Sequence, residues 1–191
     1  MKRVFIIHGW GGNPEEGWFP WLKSELEKRD YYVEVPEMPD TENPKIETWV
    51  PFLKNIVGKL DKETYFVGHN IGCQTVLRYL EEENKQCCGA VLVAPWLHLD
   101  ENTIRDEGEE SVMIAKPWVE TPIDFDKIKR LGKFVDIYSD NDPYVPVSDS
   151  KIFRNELNAE TISVGDKEHI NGEAGVKRLP IVLEKLIEIS H

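Results

Sequence analysis

Phe66-Val67-Gly68-His69-Asn70-Ile71-Gly72-Cys73 is the end of an apolar strand that runs straight into an amphipathic helix through a Gly-x-x-x-Gly turn. So tight a reversal would make side chains collide two residues before and two after its centre, so those positions call for glycine. Beyond the turn, Cys73, Val76, Leu77 and Leu80 fall on one helical face, and Arg78, Glu81 and Glu82 are expected to point away from it. The start of such a helix offers backbone N–H groups to an oxyanion developing in front of it.

Outward from this turn the same alternation of short apolar runs and longer amphipathic segments continues, as expected of strand-helix-strand units around a mostly parallel sheet. Strands are predicted at Val4 to Ile7, Tyr32 to Val35, Thr64 to Val67, Ala90 to Val93, Phe134 to Tyr138 and Thr161 to Val164. Several are apolar at nearly every position, as strands covered on both faces should be. Helices are predicted at Pro20 to Lys28, Ile46 to Leu60, Ile71 to Glu82, Ser148 to Leu157 and Leu179 to Ile189. Pro20 and Pro180 suit a first helical turn, whereas Pro51 should kink its segment or mark a later start. No repeat, low-complexity tract or linker divides the chain, so one domain over residues 1–191 is expected.

The stretch Pro95 to Asp124 departs from this pattern. It carries Asp100, Glu101, Asp106, Glu107, Glu109 and Glu110, with Trp96, Trp118 and three prolines. Its acidic part reads as a solvated surface excursion. The aromatic and proline residues around Pro117 read either the same way or as the wall of a substrate pocket, since long insertions after a central strand commonly serve that purpose.

The chain has 191 residues, 23 Lys and Arg against 35 Asp and Glu, and a net charge of −12. That length buries a layered core without disulfide or metal staples. With no Lys/Arg cluster, a chain this acidic would repel phosphate backbones and anionic lipid heads, which argues against nucleic acid and membrane partners. Cys73, Cys87 and Cys88 are odd in number and two are adjacent, so they suggest no disulfide framework and fit a reducing, cytoplasmic location. The apolar run near Met1 gives way to a Gly-rich segment within one strand length, too soon for a signal-peptide core or a span.

Two further pieces carry chemistry. After the strand ending at Tyr138, Ser139-Asp140-Asn141-Asp142-Pro143-Tyr144-Val145-Pro146 would place an acid just past a strand's carboxyl end. After the next strand, Gly165-Asp166-Lys167-Glu168-His169-Ile170-Asn171 presents a histidine on a loop. The centre of the Gly-x-x-x-Gly turn, an acid and a histidine thus follow one another in the order of an acyl-transfer triad built on a strand-turn-helix elbow. Near the N-terminus, Ile7-His8-Gly9-Trp10-Gly11-Gly12 follows the first strand, where a second oxyanion donor would stand.

Together these segments resemble the α/β-hydrolase superfamily, and more narrowly its small serine hydrolases of the retinoblastoma-binding protein 9 and YdeN type. The narrower match is carried by His8-Gly9-Trp10-Gly11-Gly12 with Trp18-Phe19-Pro20-Trp21-Leu22, the Gly68-His69-x-x-Gly72-Cys73 elbow, and Asp142-Pro143-Tyr144-Val145-Pro146. The resemblance implies a three-layer α/β/α sandwich without a large cap domain, hydrolysis of a carboxylic ester or similar acyl bond, and no cofactor. It maps the nucleophile position to Asn70, the orienting acid to Asp142 and the general base to His169. The oxyanion donors would be the backbone N–H groups of Ile71 and Trp10. Asp140 competes with Asp142 for the acid role, but Asp142 fits the Asp-Pro-x-Val-Pro pattern better.

The departure is Asn70, which stands where the family has serine. A serine hydroxyl becomes an attacking oxygen when histidine takes its proton, whereas a carboxamide has no comparable proton to surrender. Acyl-enzyme chemistry through residue 70 is therefore expected to be absent. Asparagine tolerates the positive φ usual at an elbow, so the fold is expected to survive the replacement. An engineered inactivation and a natural loss of activity both fit. Conversion of Asn70 to a nucleophilic aspartate is a third reading, disfavoured by the bulk of Ile71 and the rigidity of the turn. A non-catalytic module that binds a small acyl ligand or a protein partner is the alternative to the hydrolase reading.

Other candidates have plainer readings. His69 and His8 read as structural and turn-shaping residues, Cys73 as core, and Cys87 and Cys88 as free thiols at a helix-to-strand turn. Gly9-x-Gly11 has Pro14 where a dinucleotide fingerprint needs its third glycine, and Gly-Lys-Ser/Thr is missing. No His or Cys spacing suggests a metal.

Overall fold

The computed structural model describes residues 1–99 and 101–190, with backbone only at 101, 102 and 104–107. Six strands, β1 (Arg3–Ile7), β2 (Tyr32–Glu34), β3 (Thr64–His69), β4 (Gly89–Val93), β5 (Lys133–Tyr138) and β6 (Glu160–Ser163), form one sheet in the order β2-β1-β3-β4-β5-β6. Every pairing is parallel. The helices are α1 (Phe19–Glu27), α2 (Ile46–Val57), α3 (Ile71–Glu83), α4 (Glu101–Glu120), α5 (Phe125–Ile128), α6 (Asp149–Glu156) and α7 (Pro180–Ile189).

From β1 the chain steps one way across the sheet to β2, and every later step runs the other way. Right-handed crossovers then place α1 on one face and the helices after β2 on the other, the three-layer arrangement the sequence predicts. Helix α7 returns to the α1 face, where it packs on α1, β4 and β5. The direction reverses between β1 and β3, and in such sheets the crevice outside the carboxyl ends at the reversal holds the ligand. The Gly9 turn after β1 and the Asn70 turn after β3 both open onto it. Strands β3 and β4 are buried at every position, which fits the apolar sequence of β4 and of the middle of β3, between Thr64 and His69.

Three expectations need correction. The segment from Pro95 to Asp124 is largely helical: α4 runs through it, broken at Gly108 (φ 80°, ψ 169°), and α5 follows. Buried Ala115 and Trp118 with half-buried Val112 and Val119 give its second half a helical period, which the surrounding acids and Pro117 obscure in the sequence. Glu109 and Glu110 are exposed, while the acidic face expected at Asp100, Glu101, Asp106 and Glu107 lies outside the described residues and side chains.

Second, Arg78 does not face solvent. All ten residues from Ile71 to Leu80 are buried, because α2 and α5 pack on α3 as well as the sheet. The Arg78 guanidinium donates to Gln74 Oε1 at 2.9 Å and to the carbonyls of Trp118 and Thr121, each at 2.8 Å, which holds the end of α4 against α3. Third, Pro51 does not mark a later start: α2 begins at Ile46 with Pro51 inside it, and it ends at Val57, before the expected Leu60, where Gly58 takes φ 62°. Burial of Trp49, Val50, Leu53 and Val57 along one face outweighs the lost backbone donor. Pro20 and Pro180 do lie in first turns. No described helix is long and apolar enough to cross a membrane.

One core residue is costly. Asp136 on β5 is fully buried and neither carboxylate oxygen has a hydrogen-bond partner. Burial pushes its pKa up to about 7, with Arg154 pulling it down and Asp149 pushing it up. A carboxyl whose folded pKa exceeds its unfolded value binds more protons folded than unfolded, so its contribution to stability falls as pH rises from about 4 to 7. Asp136→Asn should remove this dependence. Urea unfolding at pH 4 and pH 8 should show the variant gaining on the parent by about 4 kcal/mol between the two; parallel curves would contradict the assignment.

Candidate active site

The elbow is held by close backbone approach. A Cβ on Gly72 would lie 2.3 Å from the Ile7 carbonyl oxygen and 2.6 Å from that of His8, and one on Gly68 would lie 2.7 Å from Cys73 Cα. Helix α3 therefore starts in contact with the end of β1. Between the glycines Asn70 has φ 52° and ψ −122°, while its N–H donates to the Val93 carbonyl at 3.0 Å. Ile71 opens α3, so its N–H is among those a helix start leaves without an intrahelical acceptor. The buried Cys73 thiol donates to the Val93 carbonyl at 3.4 Å, and burial pushes its pKa up, which leaves it inert.

The three residues mapped to the triad, widely separated in sequence, come together. His169 Nε2 lies 3.0 Å from Asn70 Nδ2, and His169 Nδ1 lies 2.9 and 3.1 Å from the carboxylate oxygens of Asp142. The amide nitrogen can only donate, so Nε2 is the acceptor and Nδ1–H donates to Asp142. The Asp142 side chain is almost wholly buried, and its Oδ1 also accepts the N–H groups of Tyr144 and Val145 at 2.9 and 3.1 Å. The Tyr144 ring stands edge-on to the imidazole, 5.0 Å between centroids. Asp140, the competing acid, instead accepts the Ser163 hydroxyl at 2.8 Å.

The loop bearing His169 is strained. Glu168 and Ile170, its neighbours, have φ of 48° and 54°, a region that costs non-glycine residues about 1–3 kcal/mol each. Its carbonyls meet buried donors: His69 Nε2–H reaches the His169 oxygen at 3.0 Å, and Trp18 Nε1–H reaches the Ile170 oxygen at 2.8 Å. Burial, reinforced by His169, lowers the His69 pKa to about 3. His8, also buried, donates from Nδ1 to the Gly9 carbonyl at 2.9 Å and accepts the Met38 N–H at Nε2, so it fixes the turn leading to Trp10.

Trp10, Asn70, Trp96, Tyr144 and His169 line a cavity of about 370 Å³, closed on one side by Val112 and Ala115 of α4. The Asp149 carboxylate accepts the N–H groups of Leu97 and His98 at 2.6 and 3.0 Å, and His98 Nδ1 lies 2.8 Å from it. This ties the connection before α4 to the start of α6. Sequence reasoning missed the support given by Tyr144, Asp149 and Arg78. An Asx-type turn at Asp142-Pro143 could have indicated Tyr144; the other two act across long separations with no local signal. Among the described residues, no group of three or more His, Cys, Asp or Glu side chains could hold a metal ion. Cys73, Cys87 and Cys88 are all free.

A parallel sheet crossed on both faces, with an elbow after one strand and a histidine loop after the last, defines an α/β hydrolase. The serine hydrolase family matches residues 4–188, and the chain belongs to it. It is 30% identical over 188 residues to YdeN of Bacillus subtilis (strain 168), covering 97% of this chain and 94% of YdeN. The crystal structure of the ydeN gene product from that organism superimposes with a TM-score of 0.88 at 28% identity, covering 99% and 98% of the two chains. Est1E from Butyrivibrio proteoclasticus, in its structure with ferulic acid, shares the fold at TM-score 0.73 and 17% identity, covering 98% of this chain and 89% of Est1E.

Two measurements check this geometry. Gly72→Ala should lower stability by about 3 kcal/mol in urea unfolding, since its methyl meets backbone that cannot yield; a loss below 1 kcal/mol would contradict the close approach. Nitrogen NMR should find His69 as the neutral Nε2–H tautomer, unchanged from pH 5 to 8, and titration within that window would count against its buried bond.

Proposed function

We propose that this chain is a carboxylic ester or acyl hydrolase scaffold with Asn70 in the nucleophile's place, silent in acyl-enzyme chemistry as it stands. The supporting observation is the single chain of contacts from Asn70 through His169 to Asp142, with Nε2 at 3.0 Å from the residue-70 side chain. With a hydroxyl at residue 70, His169 takes its proton while the oxygen attacks the acyl carbon, and Asp142 holds the Nδ1–H tautomer and stabilises the imidazolium. The N–H groups of Ile71 and Trp10 then receive the oxyanion, and His169 returns its proton to the leaving group. A carboxamide supplies no attacking oxygen, and loss of a triad nucleophile costs about a million-fold in turnover. In this reading the ligand is a small acyl or ester compound, and the three free thiols accord with a cytoplasmic location.

A second reading, a non-catalytic module that binds such a ligand, is favoured by the way Asn70 satisfies the base while the adjoining cavity remains. The two readings divide on simple tests. Asn70→Ser should hydrolyse short p-nitrophenyl esters and label with a fluorophosphonate, while the parent does neither; a variant inert in both assays would sink the hydrolase scaffold. Titration of the parent with methyl butyrate should shift the His169 ring resonances saturably if the cavity binds acyl ligands. Intact mass distinguishes asparagine from aspartate at residue 70, and esterase activity confined to an aspartate-bearing fraction would overturn the silent-scaffold reading.

A further inference from the structure

We infer that His69 and Trp18 are positioning residues for the base: two buried donors, His69 Nε2–H to the His169 carbonyl at 3.0 Å and Trp18 Nε1–H to the Ile170 carbonyl at 2.8 Å, hold the histidine loop in its strained course and so aim the imidazole at residue 70. In the sequence His69 has the plainer role of a structural residue beside the elbow, and Trp18 stands out only as part of the Trp18-Phe19-Pro20-Trp21-Leu22 segment. Their bonds fall on two successive peptides, the one that follows His169 and the one that follows the strained Ile170.

Strain shows why the loop needs holding. Glu168 and Ile170 both have positive φ, and a β-branched residue is an outlier there. Such conformations persist only where surrounding structure over-determines them. Ile170 is fully buried, Trp18 is fully buried, and His69 is almost so, which leaves no water to substitute for either donor.

The two donors are also matched in charge. The ring of His69 is 5.0 Å from that of His169, so a cation there would oppose the imidazolium that forms when the base takes its proton. Burial among Trp18, Phe19 and His169 keeps His69 neutral and leaves its Nε2–H free to donate. Lysine or arginine could reach the same carbonyl but would add the opposing charge. Glutamine is the replacement that keeps a neutral donor near the position of Nε2.

The kinetic part of this inference rests on the hydrolase reading, so the test has one arm that does not. In the Asn70 chain, proton NMR should show the His169 Nδ1–H bonded to Asp142 as a slowly exchanging resonance. His69→Gln should keep it, and His69→Phe should broaden or lose it while the circular dichroism of the fold is retained. Persistence of the resonance in His69→Phe at parental sharpness would overturn the inference, whatever the activity of any variant. If His69→Phe does not fold, Trp18→Phe carries the same test through the second carbonyl. In the Asn70→Ser background, His69→Phe should lower kcat roughly ten- to hundredfold with KM within about twofold, and His69→Gln should restore most of the loss. An active Asn70→Ser enzyme whose kcat ignores His69→Phe would reject the positioning role and spare the hydrolase reading. An inactive Asn70→Ser protein with the NMR result intact would do the reverse.

Discussion

The approach of α3 to the end of β1 is the constraint from which the rest follows. Gly72 has no room for even a methyl group against the Ile7 and His8 carbonyls, and that contact fixes where the helix begins, and with it the direction of residue 70. The backbone of Asn70 is bent into positive φ as a result, so its side chain stands above the sheet edge instead of lying along the helix. The two strands in question flank the point at which the chain reverses its direction across the sheet. One steric requirement therefore sets both the location of the crevice and the residue that faces it.

Around this fixed point the other loops are arranged by hydrogen bonds to buried groups. Asp142 is held by two backbone N–H groups of its own turn before it meets His169, so its orientation does not depend on the imidazole. His169 sits between that carboxylate and the side chain of residue 70, each nitrogen with one partner. Asparagine completes this set at no cost in unsatisfied groups. It supplies the donor that Nε2 would otherwise lack, and it tolerates the turn, which explains how the site can remain assembled without a hydroxyl.

Much of this was legible in the chain itself. Each predicted strand and helix occurs within a few residues of its expected limits, because unbroken apolar runs and helical periods are set by which faces the sheet covers. The mapped trio of residues 70, 142 and 169 could be read because each lies just past a strand end, where topology alone brings distant loops together. The cavity wall was harder. In α4 the apolar period is confined to the second half, and acids, Gly108 and Pro117 dominate a local reading. Arg78 misled for a related reason: a charged residue on an amphipathic helix normally faces water, and its burial is made tolerable by Gln74 together with the carbonyls of Trp118 and Thr121, brought from the far end of α4. Pairs such as Asp149 with His98 leave no periodic trace at all.

The bond between Asn70 and His169 also has a genetic consequence. Asparagine codons and one pair of serine codons differ only at the middle base, an adenine-to-guanine transition. A gene encoding this chain thus stands one point mutation from a polypeptide with a hydroxyl beneath an imidazole already aligned by its aspartate. Because the amide keeps that imidazole satisfied in the meantime, nothing in the local energetics would drive the remaining parts to drift apart.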